Sequence, residues 1–299
     1  MLISISTEHA YSEETTIFSI IDLLYEAGFR TLDFTACNYI HRGLKYGETE
    51  FFSDNWKQWI QEIKQYADSK GVVFNQSHNL MYNYFKTDDD TALLNSMIDR
   101  VLEACGLLEI PVTVVHPIAP VYAVEDLAEC RRMNQAFFKE KAKVAENFGV
   151  KLAVENMIIT RNTDSSKEWR YCNSPEQLID LVDSIDMQNV GFCFDVGHSH
   201  YMYENIYESI MKYGERLISL HIHDNDSWYD QHIIPFSGSV DWNMFEKGIA
   251  DCGYKGDFTL ESFRSTIRLP RELQIGMLRE MKLMSEWMVQ RIQNYRNKA

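Results

Sequence analysis

The sequence lacks several features by which common protein classes are recognised. Its 299 residues contain no G-x-G-x-x-G motif after the first predicted strand and no G-x-x-x-x-G-K-[ST] motif. The backbone cradles that usually hold dinucleotide and nucleoside-triphosphate phosphates are therefore missing, and no nucleotide cofactor is expected. No apolar run approaches the roughly 18 residues that a membrane-spanning helix needs, so we expect no membrane partner.

Paired cysteines and excess positive charge are absent too. The six cysteines are spread along the chain without a C-x-x-C spacing, as in reduced cytoplasmic proteins. The first residues have neither the basic segment nor the long apolar segment of a secretory signal, so a cytoplasmic location is expected. The formal net charge of −15 argues against a nucleic-acid partner, because duplex binding depends on basic patches.

Short apolar runs alternate with longer amphipathic segments along the chain. Strands are predicted at 2–6, 31–35, 72–77, 111–116, 150–155, 190–195, 217–222 and 257–262. Helices are predicted near 13–27, 50–70, 89–106, 125–148, 174–185, 204–214, 241–252 and 270–295. Eight strand–helix repeats indicate a parallel sheet, and the length fits a (β/α)8 TIM barrel, which typically takes about 250 residues. No linker is evident, so we predict one TIM-barrel domain over residues 1–299.

Six of the predicted strands end in a potential metal ligand. The runs VVFNQSH, VTVVH, KLAVEN, VGFCFD, LISLHIHD and FTLES supply, in chain order, His78, His116, Glu155, Asp195, His221 and Glu261. A charged residue at the end of a buried strand is costly unless it is paired or bound to metal. Active sites of TIM barrels lie at the C-terminal ends of the strands. The pattern therefore predicts one polar centre at that rim.

The last four of these residues, Glu155, Asp195, His221 and Glu261, close the fifth to eighth strands. Three carboxylates and one imidazole suit a hard or borderline divalent ion: Mn²⁺, Zn²⁺, Co²⁺ or Mg²⁺. Any one of the acids could instead cap a helix or form an ion pair at the rim. Four in succession favour a metal site.

Further residues are candidates for a second metal or for substrate binding. His198 follows Asp195 in FDVGHSH, where Gly197 allows a tight turn. Together with Asp230 and His232 it makes a zinc-like set of two imidazoles and one carboxylate. A surface loop position is the alternative for these residues. His78 and His116 could likewise join Glu155 around another ion. The alternative is that both histidines are structural residues of the core.

Three residues are candidates for contacts with the substrate. His223 alternates with His221 in HIHDND, and it either touches the substrate or orients the ligands from behind. Trp169 is one of several aromatic residues near the predicted mouth, where they either stack on sugar rings or cover loops. Arg264 belongs to SFRSTIRLPR, a loop with three arginines and no acid. Arginine suits a phosphate or carboxylate group, and pairing with neighbouring acids or another subunit is the alternative.

The segments VENM, FDVGH, HIHD and LESF, in this order, resemble the xylose isomerase-like TIM barrels over nearly the whole chain. That superfamily contains sugar isomerases and epimerases, inosose dehydratase-like and dehydroshikimate dehydratase-like lyases, and endonuclease IV. In its ketose 3-epimerases the glutamates that match Glu155 and Glu261 bind the metal and exchange the substrate proton. The residues that match Asp195 and His221 complete the metal shell, and the histidine that matches His198 touches the substrate.

The remaining candidates resemble a second branch of the superfamily. Endonuclease IV holds three zinc ions, and its additional ligands resemble His78, His116, His198, Asp230 and His232. Many sugar-isomerase-like members also keep the D-x-H loop, commonly followed by P-G-x-G-x-I-D-W. Here that stretch reads PFSGSVDW, so Phe236 replaces a glycine and the backbone of the loop is expected to differ.

The resemblance implies a metal-dependent isomerase or epimerase that acts on a sugar or sugar phosphate. The ion would polarise a carbonyl while the two glutamates move a proton at the neighbouring carbon. A lyase would use the same proton abstraction and then expel a substituent. The first alternative is a tri-zinc phosphodiesterase, against which the net charge argues. The second is a non-catalytic binding protein with the same barrel, against which the intact ligand set argues. The sequence leaves the oligomeric state open; a homo-oligomer is compatible with the resemblance, since family members are often dimers or tetramers.

Overall fold

A parallel sheet of eight strands forms the centre of the molecule, for which the computed structural model describes residues 1–47, 49–80, 88–118, 126–161 and 167–298. The strands of this sheet are β1 (Ile3–Ser6), β2 (Thr31–Thr35), β3 (Val73–His78), β4 (Val112–Val115), β5 (Lys151–Glu155), β8 (Val190–Asp195), β9 (Leu217–His221) and β10 (Phe258–Leu260). A short antiparallel pair, β6 (Thr160–Arg161) and β7 (Lys167–Glu168), follows β5. All eight strands of the central sheet begin and end within two residues of their predicted limits.

The sheet closes on itself. Neighbouring strands follow the order β10, β1, β2, β3, β4, β5, β8, β9, and a parallel bridge between Ile222 and Leu260 joins the two ends. At this seam the Ile222 N–H donates to the Thr259 carbonyl at 3.0 Å, and the Glu261 N–H donates to the Ile222 carbonyl at 3.0 Å. The predicted (β/α)8 barrel is confirmed. That the whole chain is one domain stays a prediction.

Helices surround the barrel. They are α1 (Ile17–Glu26), α2 (Ala36–Tyr46), α3 (Trp56–Ser69), α4 (Asp88–Leu107), α5 (Leu127–Glu146), α6 (Pro175–Ile185), α7 (Val196–Tyr201), α8 (Ile206–Tyr213), α9 (Trp242–Asp251) and α10 (Arg271–Arg296). Among the helices within the described ranges, none is long and apolar enough to cross a membrane. Two short helices, α2 and α7, were not predicted from the sequence; each begins directly after a strand.

The helix ends follow the local signals in the sequence. Ser174 caps α6 with its side chain, and Pro175 occupies the first turn. The Asp241 side chain accepts the N–H groups of Asn243 and Met244 at the start of α9. Four glycines that lie between a helix and the next strand, Gly28, Gly71, Gly149 and Gly253, all have positive φ, as at Gly253 with φ of 72°.

Two cores flank the wall of the barrel. The large one lies between the strands and the helices and includes Phe34, Phe192 and Phe258. A small separate cluster contains Val112, Val114, Ala153 and Cys193. Because side chains alternate along a strand, the residues two positions before each strand-end ligand share its face of the sheet. All six of these are buried, and four of them, Gln76, Cys193, Ser219 and Thr259, carry a polar group or a thiol, so the barrel interior below the ligands is partly polar.

A half-buried acid packs beside α7 and α8, and it gives a prediction for stability. The Ser199 hydroxyl donates to Oε2 of Glu204 at 2.9 Å, and the Ser209 hydroxyl donates to the same oxygen at 3.2 Å. Burial raises the pKa of Glu204 from 4.5 to about 7. The folded state therefore holds this proton more tightly than the unfolded state does. Its stabilising effect is complete below pH 4.5 and is lost as the pH rises through 7.

We expect Glu204→Gln to remove this pH dependence. One pKa unit corresponds to about 1.4 kcal/mol, and partial exposure reduces the effect. The free energy of unfolding of wild type should therefore fall by about 2 kcal/mol between pH 5 and pH 8, and that of the variant should not. Urea unfolding of both proteins at the two pH values measures the difference. Parallel pH profiles for wild type and variant would contradict the assignment.

Candidate metal centre

A cavity of about 390 Å³ opens at the C-terminal ends of the barrel strands. Its ionisable lining residues are Glu8, Cys37, His78, His116, Glu155, Arg170, His198, Tyr201, Tyr229, Asp230, His232, Glu261 and Arg264. A second cavity, of about 630 Å³, lies at the other end of the barrel beside Asn75, Lys151 and Asp257. No predicted ligand lines that second cavity, so the chemistry belongs to the first.

The four predicted ligands from the ends of β5, β8, β9 and β10 converge on one point. Glu155, Asp195, His221 and Glu261 are all buried, and their donor atoms lie within 4.8 Å of one another. Nδ1 of His221 is 3.3 Å from Oε1 of Glu155 and 3.3 Å from Oε2 of Glu261. Neither ring nitrogen of His221 makes a hydrogen bond within the described part of the chain.

This arrangement fits a divalent ion. Buried polar groups in proteins almost always have hydrogen-bond partners, so an orphaned imidazole needs an explanation. Buried carboxylates that crowd together repel one another unless a cation lies between them. The donor set of three carboxylates and one imidazole suits Mn²⁺, Zn²⁺, Co²⁺ or Mg²⁺. The sequence prediction of this cluster thus agrees with the geometry, while occupancy by metal stays a prediction.

A second group lies next to the first and shares Glu155. Nε2 of His116 is 2.9 Å from Oε2 of Glu155, and Nε2 of His78 is 3.7 Å from the same oxygen. The Nδ1 of His78 donates to the carbonyl of Asn79 at 2.9 Å. Since a carbonyl only accepts, a hydrogen must lie on Nδ1, and Nε2 is the ring atom of His78 that is directed to the site.

A third group combines residues of α7 and of the loop after β9. Oδ2 of Asp230 is 3.5 Å from Nε2 of His198 and 3.0 Å from Nε2 of His232. Nδ1 of His198 donates to the Asn156 carbonyl at 2.8 Å, and Nδ1 of His232 donates to the Glu261 carbonyl at 3.0 Å. Both rings therefore have their Nδ1 hydrogens fixed by backbone, and both Nε2 atoms face the carboxylate. Metal-binding histidines are commonly oriented in this way.

His223 lies behind the ligands and is fully buried. Its Nε2 is 2.9 Å from Oδ1 of Asp195, and its ring stacks on His232 with centroids 3.8 Å apart. It does not line the cavity. Of the two roles open from the sequence, this position favours orientation of Asp195; a contact with the substrate stays a prediction.

Gly197 has a different function from the one expected. It lies in the first turn of α7 and not in a tight turn, because the helix begins directly after Asp195, whose side chain caps it. A Cβ atom at position 197 would lie 2.0 Å from Cε1 of His223. Packing against the imidazole, and not the backbone conformation, therefore requires glycine here.

The pKa values of the two glutamates of the central group are shifted in opposite directions. Burial raises the pKa of Glu155, but the imidazoles of His221 and His116 outweigh it and hold this pKa well below its usual range. Burial, and then repulsion by Glu155, raise the pKa of Glu261 well above its usual range. Burial lowers the pKa of His116 to about 4 despite its contact with Glu155. Without a bound ion, one carboxyl of the pair is thus readily ionised and the other retains its proton.

The mouth of the cavity contains two arginines. Arg264 and Arg170 line it, and the Arg264 guanidinium is exposed, with no hydrogen bond or ion pair to the described residues. Of the other two arginines in the loop 262–271, Arg268 is exposed and Arg271 donates to the Ser19 carbonyl at 3.2 Å. Trp169 is half-buried and packs against Tyr171, with ring centroids 6.3 Å apart. It does not line the cavity. Contact of Trp169 and Arg264 with substrate stays a prediction.

Sequence reasoning missed two residues that line the cavity. Glu8 follows β1 in a 3₁₀ turn, and burial raises its pKa. An acid just past a strand was the available signal, but it lies two residues beyond the strand end and not at the end itself. Cys37 lies at the start of α2, a helix that was not predicted, so nothing in the sequence directed its thiol to the site.

The loop after β9 also holds Phe236, where the family commonly has glycine. Phe236 has a φ of 69°, in the left-handed region that favours glycine. Its ring packs against Trp242 and Trp287 with centroids 5.8 Å and 5.7 Å away. The aromatic contacts compensate for an unfavourable backbone conformation.

Comparison with known proteins gives one family. Residues 21–283 match the family model for the xylose isomerase-like TIM barrel. A D-psicose 3-epimerase of Enterocloster bolteae is 24% identical over 214 residues, which are 69% of this chain and 67% of that protein. The chain spans about half or less of the length of the first curated relatives it matches.

Solved structures of similar shape cover the whole fold. A D-psicose 3-epimerase from Clostridium cellulolyticum H10, solved with D-tagatose, has a TM-score of 0.73 at 20% identity and covers 96% of this chain and 99% of that one. The IOLI protein, solved with a bound zinc atom, has a TM-score of 0.75 at 17% identity and covers 95% of this chain and 98% of that one. At such identities the likeness establishes the fold.

Proposed function

Because the chain belongs to the xylose isomerase-like TIM barrel family, we propose that it is a metal-dependent sugar isomerase or epimerase. Its relatives include a D-psicose 3-epimerase and inosose isomerases, which act on small polyhydroxylated compounds. The proposed reaction moves a proton at the carbon next to a carbonyl group. The substrate is proposed to be a ketose or a related ketone.

The observation that carries the proposal is the pair Glu155 and Glu261. Both carboxyl groups are within 3.3 Å of the same nitrogen of His221, at the floor of a cavity large enough for a monosaccharide. Their pKa values are displaced in opposite directions. Two neighbouring titratable groups with separated pKa values suit the base and the acid of one proton-transfer reaction.

The proposed reaction needs residues that hold the metal and residues that transfer the proton. The central donor set, Glu155, Asp195, His221 and Glu261, would hold a divalent ion, which when bound polarises the carbonyl of the substrate. Glu155, ionised, would accept the proton from the neighbouring carbon. Glu261 would supply a proton to the opposite face of that carbon for epimerisation, or to the former carbonyl carbon for isomerisation, in which case a hydroxyl proton also moves between the two substrate oxygens.

Exchange of the substrate proton with solvent tests the proposal. The metal-loaded protein is incubated in D₂O with a panel of ketoses and inososes, and NMR follows deuterium at the carbon next to the carbonyl. We expect incorporation into at least one member of the panel, together with its epimer or isomer. Metal-loaded protein that exchanges no proton on any member would contradict the function.

The arginines at the mouth predict an anionic group on the substrate. Arg264 lines the cavity and makes no salt bridge to a described residue, although Glu8 of the same cavity attracts it at longer range, so its guanidinium is available to a phosphate or carboxylate. Since hydrogen bonds to charged groups are worth about 1.5–3 kcal/mol, we expect Arg264→Ala to lower kcat/KM for a phosphorylated ketose roughly 10- to 100-fold. The neutral ketose should be unaffected.

Arg268→Ala is the matched control for this prediction. It removes an exposed arginine of the same loop that does not line the cavity. Steady-state kinetics on paired neutral and phosphorylated ketoses measures both variants. Equal kcat/KM across each pair, unchanged in Arg264→Ala, would remove the anionic substrate and leave the isomerase proposal intact.

A second candidate function rests on a specific feature of the cavity. The nine predicted donors form three groups, two of which share Glu155: the central set, His78 with His116, and His198 with Asp230 and His232. Such a set would hold three ions, as in the endonuclease IV branch, and would hydrolyse a phosphodiester at an abasic site. The net charge of −15 weighs against a DNA substrate.

Metal content and a DNA assay separate the two candidates. Elemental analysis of wild type and of His198→Ala counts the ions and tests the third group. Three ions per wild-type chain, with nicking of a duplex that contains one abasic site, would favour the phosphodiesterase. Ketose exchange without nicking would favour the isomerase.

A further inference from the structure

Asp33 is a buried acid that the proposed reaction does not use. It lies on β2, and its side chain is completely inaccessible to solvent. Oδ2 accepts a hydrogen bond from Nε2 of Gln76 at 3.2 Å, while Oδ1 has no hydrogen-bond partner in the described ranges. A buried carboxylate with half of its hydrogen-bonding capacity unused is costly and needs a compensating partner.

The neighbours of Gln76 fix the position of this carboxylate. Oε1 of Gln76 accepts the Ser219 hydroxyl, and it lies 3.5 Å from the Thr259 hydroxyl, which also donates to it. These residues come from β3, β9 and β10, and β3 is a neighbour of neither of the other two in the sheet. The side-chain amide of Gln76 therefore spans the barrel interior. Its NH₂ group donates to Asp33 and so fixes this carboxylate below the metal centre.

His221 is the residue that Asp33 faces. Oδ2 of Asp33 is 3.9 Å from Nε2 of His221, and both side chains are fully buried. On the other edge of the same ring, Nδ1 faces Glu155 and Glu261 at 3.3 Å each. The imidazole thus lies between one carboxylate below and two above. Each of its nitrogens lacks a hydrogen bond to the described residues, and Oδ1 of Asp33 lacks a donor among them.

We propose that Asp33 is a positioning residue, which accepts the Nε2 hydrogen of His221 and thereby reserves Nδ1 for the metal. The inference rests on the metal site of the proposed function but not on its substrate. At 3.9 Å the two atoms are too far apart for a hydrogen bond, so the proposal requires them to approach to about 3 Å when metal binds, with the hydrogen on Nε2. A carboxylate behind a histidine ligand fixes the tautomer and raises the basicity of the nitrogen that binds metal.

Asp33→Asn tests the proposal through metal affinity. The amide has the same shape but is a weaker acceptor, so we expect Zn²⁺ and Co²⁺ to bind about 10- to 100-fold more weakly, as measured by competition with a chelating dye. Unfolding of the metal-free protein should show a variant at least as stable as wild type, because an amide is less costly to bury than a carboxylate. Affinity within about twofold of wild type would overturn the proposal, whether or not the metal-free variant is destabilised.

Glu246→Gln is the matched control. Glu246 is a fully buried acid on α9 that pairs with Arg291 at 2.5 Å, away from the cavity. This variant should be destabilised without metal and should keep wild-type metal affinity. If both variants lost affinity equally, the effect would be a general one of buried charge, and the role of Asp33 would be rejected.

A measurement on the wild-type protein covers the case in which Asp33→Asn does not fold. The ¹⁵N shifts of the histidine rings report which nitrogen is protonated, and His221→Asn assigns the signal. The metal-free wild type is expected to show the Nε2–H tautomer at His221. An Nδ1–H tautomer would overturn the proposal. Because neither experiment uses a sugar, a failure of the isomerase function would leave their outcome unaffected.

Discussion

Glu261→Gln is expected to abolish exchange of the substrate's α-proton with solvent. Loss of an acid–base residue typically costs about 10²- to 10⁴-fold in rate, and loss of a carboxylate ligand adds to that. The glutamine side chain can neither accept nor donate the proton of an acid–base residue. Glu155→Gln should have an equal effect, because its amide cannot accept a proton from carbon.

Exchange in D₂O, with the metal content of each variant measured in parallel, checks this prediction. The control is Glu246→Gln, which neutralises a buried acid outside the cavity and should keep wild-type exchange. A variant of either site glutamate that retains metal and exchanges at a near-normal rate would show that the two-glutamate mechanism is wrong.

Removal of divalent metal is expected to eliminate activity and to lower stability. We expect one tightly held ion on Glu155, Asp195, His221 and Glu261, whose carboxylates otherwise repel one another in a buried site. A ligand that binds only the folded state stabilises it by about 4 kcal/mol at a free concentration of 1,000 times Kd. Melting of chelator-treated protein, before and after Mn²⁺, Co²⁺ or Zn²⁺ is restored, measures this difference.

Asp195→Asn provides the comparison for metal removal. Its side chain caps α7 through the His198 N–H at 2.7 Å, and an asparagine keeps this cap while it loses the charge. The variant should therefore fold but bind metal weakly. Purified protein without stoichiometric metal, fully active in strong chelator, would contradict the prediction.

The sequence was most informative about the strands. Runs such as VGFCFD are buried on both faces, and a run of this kind has visible ends because a charged residue or a glycine interrupts it. The helix α2 was missed because ACNYIHRGLKY follows β2 without a connecting turn, and Thr35 makes no side-chain cap there. Its local signals are the helical spacing of its buried residues, such as Tyr39, Ile40 and Gly43, and the left-handed cap at Gly47.

The candidate site was predictable where a ligand ends a strand and not where it depends on side-chain packing. Glu155, Asp195, His221 and Glu261 follow from strand ends alone. That His223 supports Asp195 from behind, and that Gly197 makes room for it, depends on the distance between α7 and β9. Asp33 was visible as an acid inside a buried strand, but its direction toward His221 required the barrel.

The ladder between the first and last strands has a consequence for how the protein is made. Ile3 pairs with Phe258, and Ile5 pairs with Leu260, so the barrel cannot close until residue 260 has left the ribosome. Contacts between such distant residues carry a large entropic cost and form late in folding. Glu261 lies immediately after this last strand, so a nascent chain acquires all of its other predicted ligands before the final one. The site is completed by the same event that closes the fold, and a partly synthesised chain should be catalytically silent.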